Sequence, residues 1–359
     1  MAKSQDHPTL PGRLGDPTRI MRADPRADPR LIAALTPFGL DAAPTDLPVR
    51  LDSSLPAKLD YLASTEQGMG AVFSSFFSGL PPITQVERRT EVVKGRDGDD
   101  IKLYIHRPTQ ASGALPCVYH LHGGGMVMMS AADLGYVRWR DELAARGLVV
   151  VGAEFRNGGG QLGNYPFPAG LNDCMDGLQW TFDHKGALGI SRIIISGESG
   201  GGNLSLAVCL KAKQDRRLEQ IAGVYALCPY IYGAWDQPGK DLPSLYENEG
   251  YFGAREMMAI LATVYDPEHK NSSNPLCWPY HATLDDLRGL PPHVISVNEL
   301  DALRDEGLTY YHKLVKAGVS CYSRTVNGTC HAADVLFPGV IPEVYAATLR
   351  DIKGFADSL

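Results

Sequence analysis

The sequence predicts an α/β fold in which a mostly parallel central sheet is flanked by helices and covered by a helical cap. Short apolar runs rich in valine and isoleucine alternate with stretches of helical pattern, and these runs show no polar alternation. Its length of 359 residues accommodates one large α/β domain and a cap. Parallel sheets of this kind place their chemistry in loops at the carboxyl ends of the strands.

The sheet is predicted to begin with an antiparallel hairpin. The segments TEVVKG and IKLYIHRP flank the turn signal Asp97-Gly98. Further strands are predicted at 117–122, 148–155, 192–197, 223–228 and 293–298, with a last strand before His331. Between them, helices are predicted near 131–146, 169–185, 201–214 and 302–317.

Two segments are predicted to form the cap. Residues 1–85 carry many prolines and the tandem repeat ADPRADPR, with short helical runs at 31–35 and 69–77. The connection 230–288 is far longer than the usual few residues between two strands. The predicted organisation is therefore an N-terminal cap segment at 1–85, a cap insertion at 230–288, and a catalytic domain made of 86–229 and 289–359.

Composition excludes several classes of partner. The net charge is −7, and the chain has no sustained Lys/Arg run, so nucleic acid is not expected as a partner. The first thirty residues lack the apolar core of a signal peptide, and no apolar stretch approaches the roughly 18 residues of a membrane span. We therefore expect no membrane association and a cytoplasmic location. The seven cysteines form no CxxC pair, which is typical of reduced, mostly buried thiols.

The sharpest motif is GESGG at 197–201, which lies between the predicted strand RIIIS and the helical run NLSLAVCLKAK. A GxSxG pattern alone occurs by chance, but this strand, turn and helix context is that of a nucleophile elbow. The glycines give room for a tight turn that lifts the Ser199 hydroxyl above the sheet edge, at the positive end of the next helix. We predict Ser199 as a nucleophile, the alternative being a turn whose glycines serve only close packing.

A second motif, HGGG at 122–125, follows the strand CVYHL. Consecutive glycines allow backbone N–H groups to turn toward an oxyanion, and lipases and esterases carry this motif after their third strand. The N–H of Gly200, one residue past the nucleophile, is predicted as a further donor. His120 and His122 share a face of the strand and could form a metal pair, but no third ligand has a suitable spacing. We predict no metal.

A serine hydroxyl is a weak nucleophile that needs a base, and a carboxylate must orient that base. In elbow enzymes the acid and then the histidine follow the serine along the chain. We predict His331 as the base because it lies in a loop after the last strand, whereas His312 lies within a helical run and is expected to face solvent. Cys330 is an alternative nucleophile, but no elbow surrounds it, so a packed or partly exposed thiol is favoured.

The orienting acid is sought in the run HVISVNELDALRDEG, which offers Glu299, Asp301, Asp305 and Glu306. Asp301 comes just after the strand, where a short side chain reaches a neighbouring loop. Asp305 and Glu306 fall in the first turn of the next helix, where carboxylates commonly interact with the helix dipole. Asp301 is therefore favoured.

These motifs make the chain similar to the hormone-sensitive lipase family of bacterial carboxylesterases, which has the α/β-hydrolase fold, and to its brefeldin A esterase branch. The similarity covers roughly residues 90–355 and reaches into the cap through LPSLYENEGYF, YDP and WPY. It is carried by HGGGM, FRN, YPFPAG, DC, GESGGGNL, DLRGLPP, VNELDALRDEG and HAADV. The common GDSAG is GESGG here, as in that branch. The usual YRLAPE is replaced by FRN and a glycine run, so no role is transferred to 157–160.

The resemblance implies a carboxylesterase with a two-part helical cap and a triad of Ser199, Asp301 and His331. It also implies that the second and third glycines of HGGG, Gly124 and Gly125, line the oxyanion hole together with Gly200. The expected partner is a small-molecule ester of short to medium acyl chain, and no cofactor is required. Members of the family often form homodimers, so a homodimer is one expectation for this chain.

The acyl pocket is expected to take part of its wall from the cap. The candidate wall residues are Met126, Met128, Met129, Tyr230, Tyr251 and Phe252, and core packing is the alternative interpretation for each. The same site would also hydrolyse lactones or amides, because these pass through the same kind of tetrahedral intermediate. A non-catalytic small-molecule receptor on this fold is a further alternative, although such receptors have typically lost the histidine that is present here as His331.

Overall fold

Residues 12–359, apart from 17, 238 and 240, are described by the computed structural model. Within them the chain forms one eight-stranded sheet. Its strands are β1 (Val86–Lys94), β2 (Asp100–Pro108), β3 (Leu115–Leu121), β4 (Val149–Ala153), β5 (Ile190–Glu198), β6 (Gly223–Leu227), β7 (His293–Asn298) and β8 (Cys321–Val326). The hairpin predicted around Asp97-Gly98 and all six later strands are thus observed.

The strand order is β1-β2-β4-β3-β5-β6-β7-β8. β2 is antiparallel to its neighbours β1 and β4, and every other neighbouring pair is parallel. Every residue of the inner strands β4, β6 and β7 is buried, as continuous apolar runs require of strands covered on both faces. The predicted mostly parallel sheet is confirmed, and the carboxyl ends of β3, β5, β6, β7 and β8 lie along one edge.

Helices pack on this sheet and extend beyond it. They are α1 (Pro29–Leu35), α2 (Leu55–Phe77), α3 (Leu134–Ala145), α4 (Ala169–Asp183), α5 (Lys185–Leu188), α6 (Gly200–Gln214), α7 (Ser244–Glu247), α8 (Arg255–Tyr265), α9 (Leu284–Leu287), α10 (Arg304–Lys316), α11 (Ala333–Leu336) and α12 (Pro342–Asp357). α3 and α12 pack against each other and on the sheet, as do α4 and α6. Across the described part of the chain, no helix combines the length and apolarity needed to span a bilayer.

The longest helix, α2, belongs to the segment that precedes the sheet. The sequence predicted only its last turns, at 69–77, but the helix begins at Leu55 because Ser54 caps it and Pro56 lies in the first turn. α2 packs against α3 and against α8 of the 230–288 insertion. The two predicted cap segments therefore meet. Residues 1–11 of the predicted N-terminal segment lie outside the described residues, and the domain boundaries stay a prediction.

Candidate active site

Ser199 lies in the one-residue turn between β5 and α6. Its backbone has φ 55° and ψ −116°, a conformation that residues other than glycine rarely adopt. The turn is fixed because Ser199 N–H donates to Leu227 O (2.9 Å) and Tyr230 N–H donates to Ser199 O (3.1 Å). A Cβ atom at Gly201 would overlap the carbonyl oxygen of Leu121, so the motif needs glycine there. Hydrogen bonds to β6 and to the helix that follows keep Ser199 in this strained conformation.

The HGGG segment lies beside this turn. A Cβ atom on Gly200 would be 2.7 Å from Gly125 N and 2.6 Å from Met126 N, so the two backbones are in direct contact. Gly124 and Gly125 have φ of 93° and 64°. Among the described residues, the N–H groups of Gly124, Gly125 and Gly200 have no hydrogen-bond acceptor. Unpaired donors beside a serine, at the start of a helix, suit a developing negative charge.

His331 and Asp301 form a hydrogen-bonded pair, with 2.8 Å between His331 Nδ1 and Asp301 Oδ2. Asp301 is 1% exposed, and its other oxygen accepts from Leu303 N–H (2.9 Å). The other three candidate acids accept hydrogen bonds from backbone groups elsewhere. Glu299 accepts from Gly328 N–H (2.8 Å), Asp305 accepts from Ser244 N–H (2.6 Å), and Glu306 accepts from Ile231 and Tyr232 N–H.

Two loops carry this pair, and backbone hydrogen bonds join them. Leu300 N–H donates to Thr329 O (2.9 Å) and Glu299 N–H donates to Val326 O (3.1 Å). The acid loop after β7 is therefore fastened to the histidine loop after β8, because these strands are neighbours. His312, the alternative base, is exposed on α10, as expected from its helical pattern.

The electrostatics of His331 follow from its surroundings. Burial by itself favours the neutral imidazole, but the Asp301 carboxylate and a contact with the Cys228 thiol outweigh it. The pKa of His331 therefore lies well above its ordinary value. An imidazolium held by a buried carboxylate is the state that this histidine would reach after taking a proton from Ser199.

Sequence reasoning missed Cys228, the residue that follows β6. Its Sγ, a carboxylate oxygen of Asp301 and a ring nitrogen of His331 lie within 4.8 Å of one another. Burial raises the pKa of this thiol to about 11, so the neutral form is favoured. Only the topology reveals this contact, since β6 and the loop after β8 are about a hundred residues apart. Cys330, the alternative nucleophile of the sequence analysis, is likewise buried.

Asn248 of the insertion was also missed. Its Nδ2 donates to Asp301 O (2.9 Å) and to Glu299 O (3.2 Å). Nearby, the Ser244 hydroxyl donates to Ala302 O (2.7 Å). The insertion thus holds the backbone of the acid loop. The segment LPSLYENEGYF, which contains both residues, was noted for its resemblance, but nothing in its pattern indicated which backbone it would contact.

The two histidines considered as a metal pair are structural neighbours of the glycine motif. His122 Nδ1 lies 2.9 Å from Gly123 O, and its ring stacks on Phe155 with centroids 4.2 Å apart. His120 Nε2 lies 3.5 Å from Glu198 Oε2. Burial lowers the pKa of both imidazoles. In the described chain, neither belongs to a group of three His, Cys, Asp or Glu side chains close enough to share an ion.

A cavity of about 660 Å³ opens over Ser199 and His331. Its wall is mostly apolar and combines residues before the sheet, residues after β3 and residues of the insertion. These include Phe38, Leu40, Tyr61, Met69, Phe73, Met128, Met129, Trp235, Tyr251, Phe252, Met257 and Leu261. Of the described residues that line it, none is Lys or Arg, and its carboxylates are Glu198 and Asp301. Such a wall favours a neutral, apolar ligand.

The six candidate wall residues divide into two groups. Met128, Met129, Tyr251 and Phe252 line the cavity. Tyr230 and Met126 are not among the lining residues in the described chain, which corrects the expectation for both. Tyr230 is fully buried, with its ring edge-on to Trp235 and Trp278 and its hydroxyl bound to Met258 O (2.6 Å), so it packs inside the cap. The side chain of Met126 is buried, and its backbone carbonyl accepts from Gly158 N–H (2.9 Å).

The arrangement agrees with comparison to known proteins. Residues 118–334 match the family model described as alpha/beta hydrolase fold, which is more than half of the chain. The chain belongs to this α/β-hydrolase family. A strained serine between a strand and a helix, with a His–Asp pair on the following loops, is what such a match leads one to expect.

Solved structures of this α/β-hydrolase family resemble the whole chain. Brefeldin A esterase, described as a bacterial homologue of human hormone-sensitive lipase, superposes with a TM-score of 0.93 at 43% identity, over 97% of this chain and 98% of its own. Esterase Est22 gives a TM-score of 0.84 at 36% identity, over 94% and 99%. The resemblance to the hormone-sensitive lipase family and its brefeldin A esterase branch is thereby confirmed.

Characterised relatives in the α/β-hydrolase family are more distant. Carboxylesterase NlhH of Mycobacterium tuberculosis is 29% identical over 78% of this chain and 85% of its own length. Tuliposide A-converting enzyme b1 of Tulipa gesneriana is 28% identical over 67% of this chain. The chain spans 63% of the length of that tulip enzyme, which is less than two thirds.

Proposed function

We propose that this protein is a serine carboxylesterase that hydrolyses neutral carboxylic esters of short to medium acyl chain. One observation carries the proposal. Ser199, the His331–Asp301 pair and the unpaired N–H groups of the glycine motif meet at the floor of one apolar cavity. The names of the similar proteins, which include esterases and a carboxylesterase, support the reaction class.

The proposed reaction has two steps. His331 takes the proton of the Ser199 hydroxyl as the oxygen attacks the ester carbonyl, and the N–H groups of Gly124, Gly125 and Gly200 stabilise the oxyanion. The tetrahedral intermediate collapses, the alcohol leaves with a proton from His331, and an acyl group remains on Ser199. Water then attacks this acyl ester with His331 again as base, which releases the acid. Asp301 orients the imidazole and stabilises its charged form.

The residues of the chain account for each requirement of this reaction without a cofactor. Asp301 cannot leave its position easily, because Leu303 N–H and the Asn248 side chain hold its carboxylate and its carbonyl. The mostly apolar wall lowers the polarity around the oxyanion site, which strengthens the hydrogen bonds made there. Among its described residues the wall carries no Lys or Arg to pair with an anion, so we propose that the substrate has no free carboxylate or phosphate near the ester.

The test is release of p-nitrophenol from acetyl, butyryl, octanoyl and palmitoyl esters by the wild type and by Ser199→Ala. We expect turnover of the shorter esters and a loss on the order of 10⁶ in kcat for the variant. Ser272→Ala, at an exposed serine of the insertion, is the matched control and should keep full activity.

Two results would contradict this proposal. If Ser199→Ala kept the wild-type rate, Ser199 would be excluded as the nucleophile. No turnover of any acyclic ester by folded wild type would exclude the esterase, and the same assay with lactones and amides would then test the alternative reactions. If those are also inert while ligands bind to the cavity, the receptor alternative replaces the enzyme.

A further inference from the structure

The segment from Gly123 to Met129, called the oxyanion loop below, is held by a carboxylate at each end. At its start, Gly123 N–H donates to Glu198 Oε1 (2.6 Å). At its end, Met129 N–H donates to Glu66 Oε1 (2.6 Å). Glu198 is the residue before the nucleophile, so the first anchor belongs to the elbow itself. The second anchor comes from α2, which lies in the segment before the sheet.

Glu66 joins more than two elements. Its Oε2 accepts from Gln161 N–H (2.7 Å), directly after the glycine run 158–160. The carbonyl of Met129 in turn accepts from Asn157 Nδ2 (2.7 Å), so the peptide groups on both sides of Met129 are fixed. The glycine run also pairs with the oxyanion loop, because Gly158 and Gly159 N–H donate to Met126 and Val127 O (2.9 and 3.0 Å).

Gly160 shows that this contact depends on a small residue. A Cβ atom there would lie 2.6 Å from Glu66 Oε2, and its φ is 64°. Any other side chain would push the carboxylate away from Gln161 N–H. This observation gives a physical account of the glycine run that replaces YRLAPE, to which the resemblance could assign no role. The run lets a cap carboxylate reach the backbone next to the oxyanion loop.

We propose that Glu66 is a positioning residue that sets the geometry of the oxyanion hole from the cap. The proposal rests on the proposed function, since it assumes that Gly124 and Gly125 receive the oxyanion. Met129 N–H is four residues from Gly125, and the tight turn between them transmits a shift: Val127 and Met128 N–H both donate to Gly124 O (3.1 and 3.0 Å). Donors of this kind must lie about 2.7–3.1 Å from the developing charge.

This assignment makes a kinetic prediction. A misplacement of about 1 Å in a catalytic constellation can cost about 100-fold in rate. Loss of the Glu66 anchor should therefore lower kcat, while KM, which depends mainly on the apolar wall, should change little.

The experiment compares Glu66→Ala and the conservative Glu66→Gln with Gln67→Ala, an exposed neighbour on α2. A second control, Lys58→Gln, removes other polar contacts of α2, because Lys58 Nζ donates to Leu51 O (2.6 Å) and to Thr263 Oγ1 (3.2 Å) and not to the loop. We expect kcat with p-nitrophenyl butyrate to fall about 10- to 100-fold in Glu66→Ala and less in Glu66→Gln, with KM within about threefold.

An inhibitor pair separates positioning from general damage. A trifluoromethyl ketone adds to the serine as a charged tetrahedral adduct, whereas the matching methyl ketone binds without needing the oxyanion donors. In Glu66→Ala, affinity for the trifluoromethyl ketone should fall by the same factor as kcat/KM, and affinity for the methyl ketone should stay unchanged. Both controls should keep wild-type affinity for the trifluoromethyl ketone.

Hydrogen–deuterium exchange gives a readout that needs no turnover. Faster exchange within the oxyanion loop is expected in Glu66→Ala and not in Gln67→Ala. The inference is overturned if loop exchange, kcat and trifluoromethyl ketone affinity all match wild type, or if Lys58→Gln reduces kcat as much as Glu66→Ala. If the wild type is inactive but the oxyanion loop exchanges faster in Glu66→Ala, only the proposed function is refuted. The hydrogen bonds from the loop to Glu66 would then still be shown to hold the loop.

Discussion

The edge of the sheet that carries the proposed triad and the cap above it are built in different ways. At the sheet edge, Ser199, Asp301 and His331 each follow a strand, and backbone hydrogen bonds between neighbouring loops fix their positions. In the cap, helices from two distant segments meet mainly through apolar side chains such as Phe73 and Phe252, whose rings lie 6.4 Å apart. The sheet edge should tolerate almost no change, and the cap wall should tolerate many.

The largest effect expected from this contrast is at the base. His331→Ala should lower kcat by about 10⁶, because His331 is the proposed base and no other histidine is among the described residues that line the cavity. His312→Ala, which removes the exposed alternative on α10, should leave kcat unchanged. Steady-state kinetics with p-nitrophenyl butyrate measures both variants. A large loss in His312→Ala would reverse the assignment of the base.

The second effect concerns the orienting acid. Asp301→Asn should lower kcat by about 10⁴ by favouring the wrong tautomer of His331. The proposed mechanism requires neutral His331, and Asp301 raises the pKa of that imidazole. The pH at which wild-type kcat/KM rises should therefore lie above the pKa of an ordinary histidine. In the variant, the carboxylate at 301 no longer raises the pKa of His331, so this limb should move to lower pH. A pH–rate profile of each protein tests this, and an unmoved limb would contradict it.

A third effect lies in the sheet but away from the active edge. His293 begins β7, is buried, and has 2.7 Å between its Nδ1 and Pro291 O. Burial lowers its pKa to about 4, below the 6.5 of an exposed histidine. The unfolded chain therefore binds the extra proton first as the pH falls. The stability contributed by His293 is complete above about pH 6.5, and about 3 kcal/mol is lost by pH 4.

Urea unfolding of wild type and His293→Gln, at intervals from pH 7 to pH 4, measures that loss. The variant should have a lower free energy of unfolding at pH 7 but a shallower decline with acid, so that the two curves converge. Parallel curves would show that His293 is not the group that titrates. Esterase activity at pH 7 should be the same in both proteins, because the residue lies at the opposite end of its strand from the triad.

The smallest effect is expected in the cap wall. Phe252→Ala removes a ring that lines the cavity and packs against Phe73 and Phe337. We expect KM for octanoyl and butyryl esters to rise several-fold with kcat within about twofold, because apolar contacts bind substrate and transition state alike. Tyr230→Phe is a matched change outside the wall and should leave KM unaltered. If Phe252→Ala lowered kcat as much as Asp301→Asn does, the cap wall would not be more tolerant of substitution than the sheet edge.

Sequence patterns were sufficient for the parts of the molecule that are local. The elbow, the HGGG turn and the strands are each encoded within a few consecutive residues, since a buried strand needs a continuous apolar run and a tight turn needs glycine. The chain order of serine, acid and histidine then predicted three side chains that lie at one cavity, and their catalytic roles stay a proposal. Strand Cys321–Val326 and the loop holding His331 followed from the same rule.

Contacts between distant segments depended on packing, and there the sequence was insufficient. Tyr230 and Met126 are as apolar as Tyr251 and Phe252, yet only the last two reach the cavity. Glu66, Cys228 and Asn248 act through partners roughly 60 to 100, 70 to 100 and 50 residues away, respectively. Local patterns determine which backbone a segment adopts. Only the packed tertiary structure decides which carboxylate, thiol or ring then lies against which backbone, because that depends on how the helices and loops fill the space above the sheet.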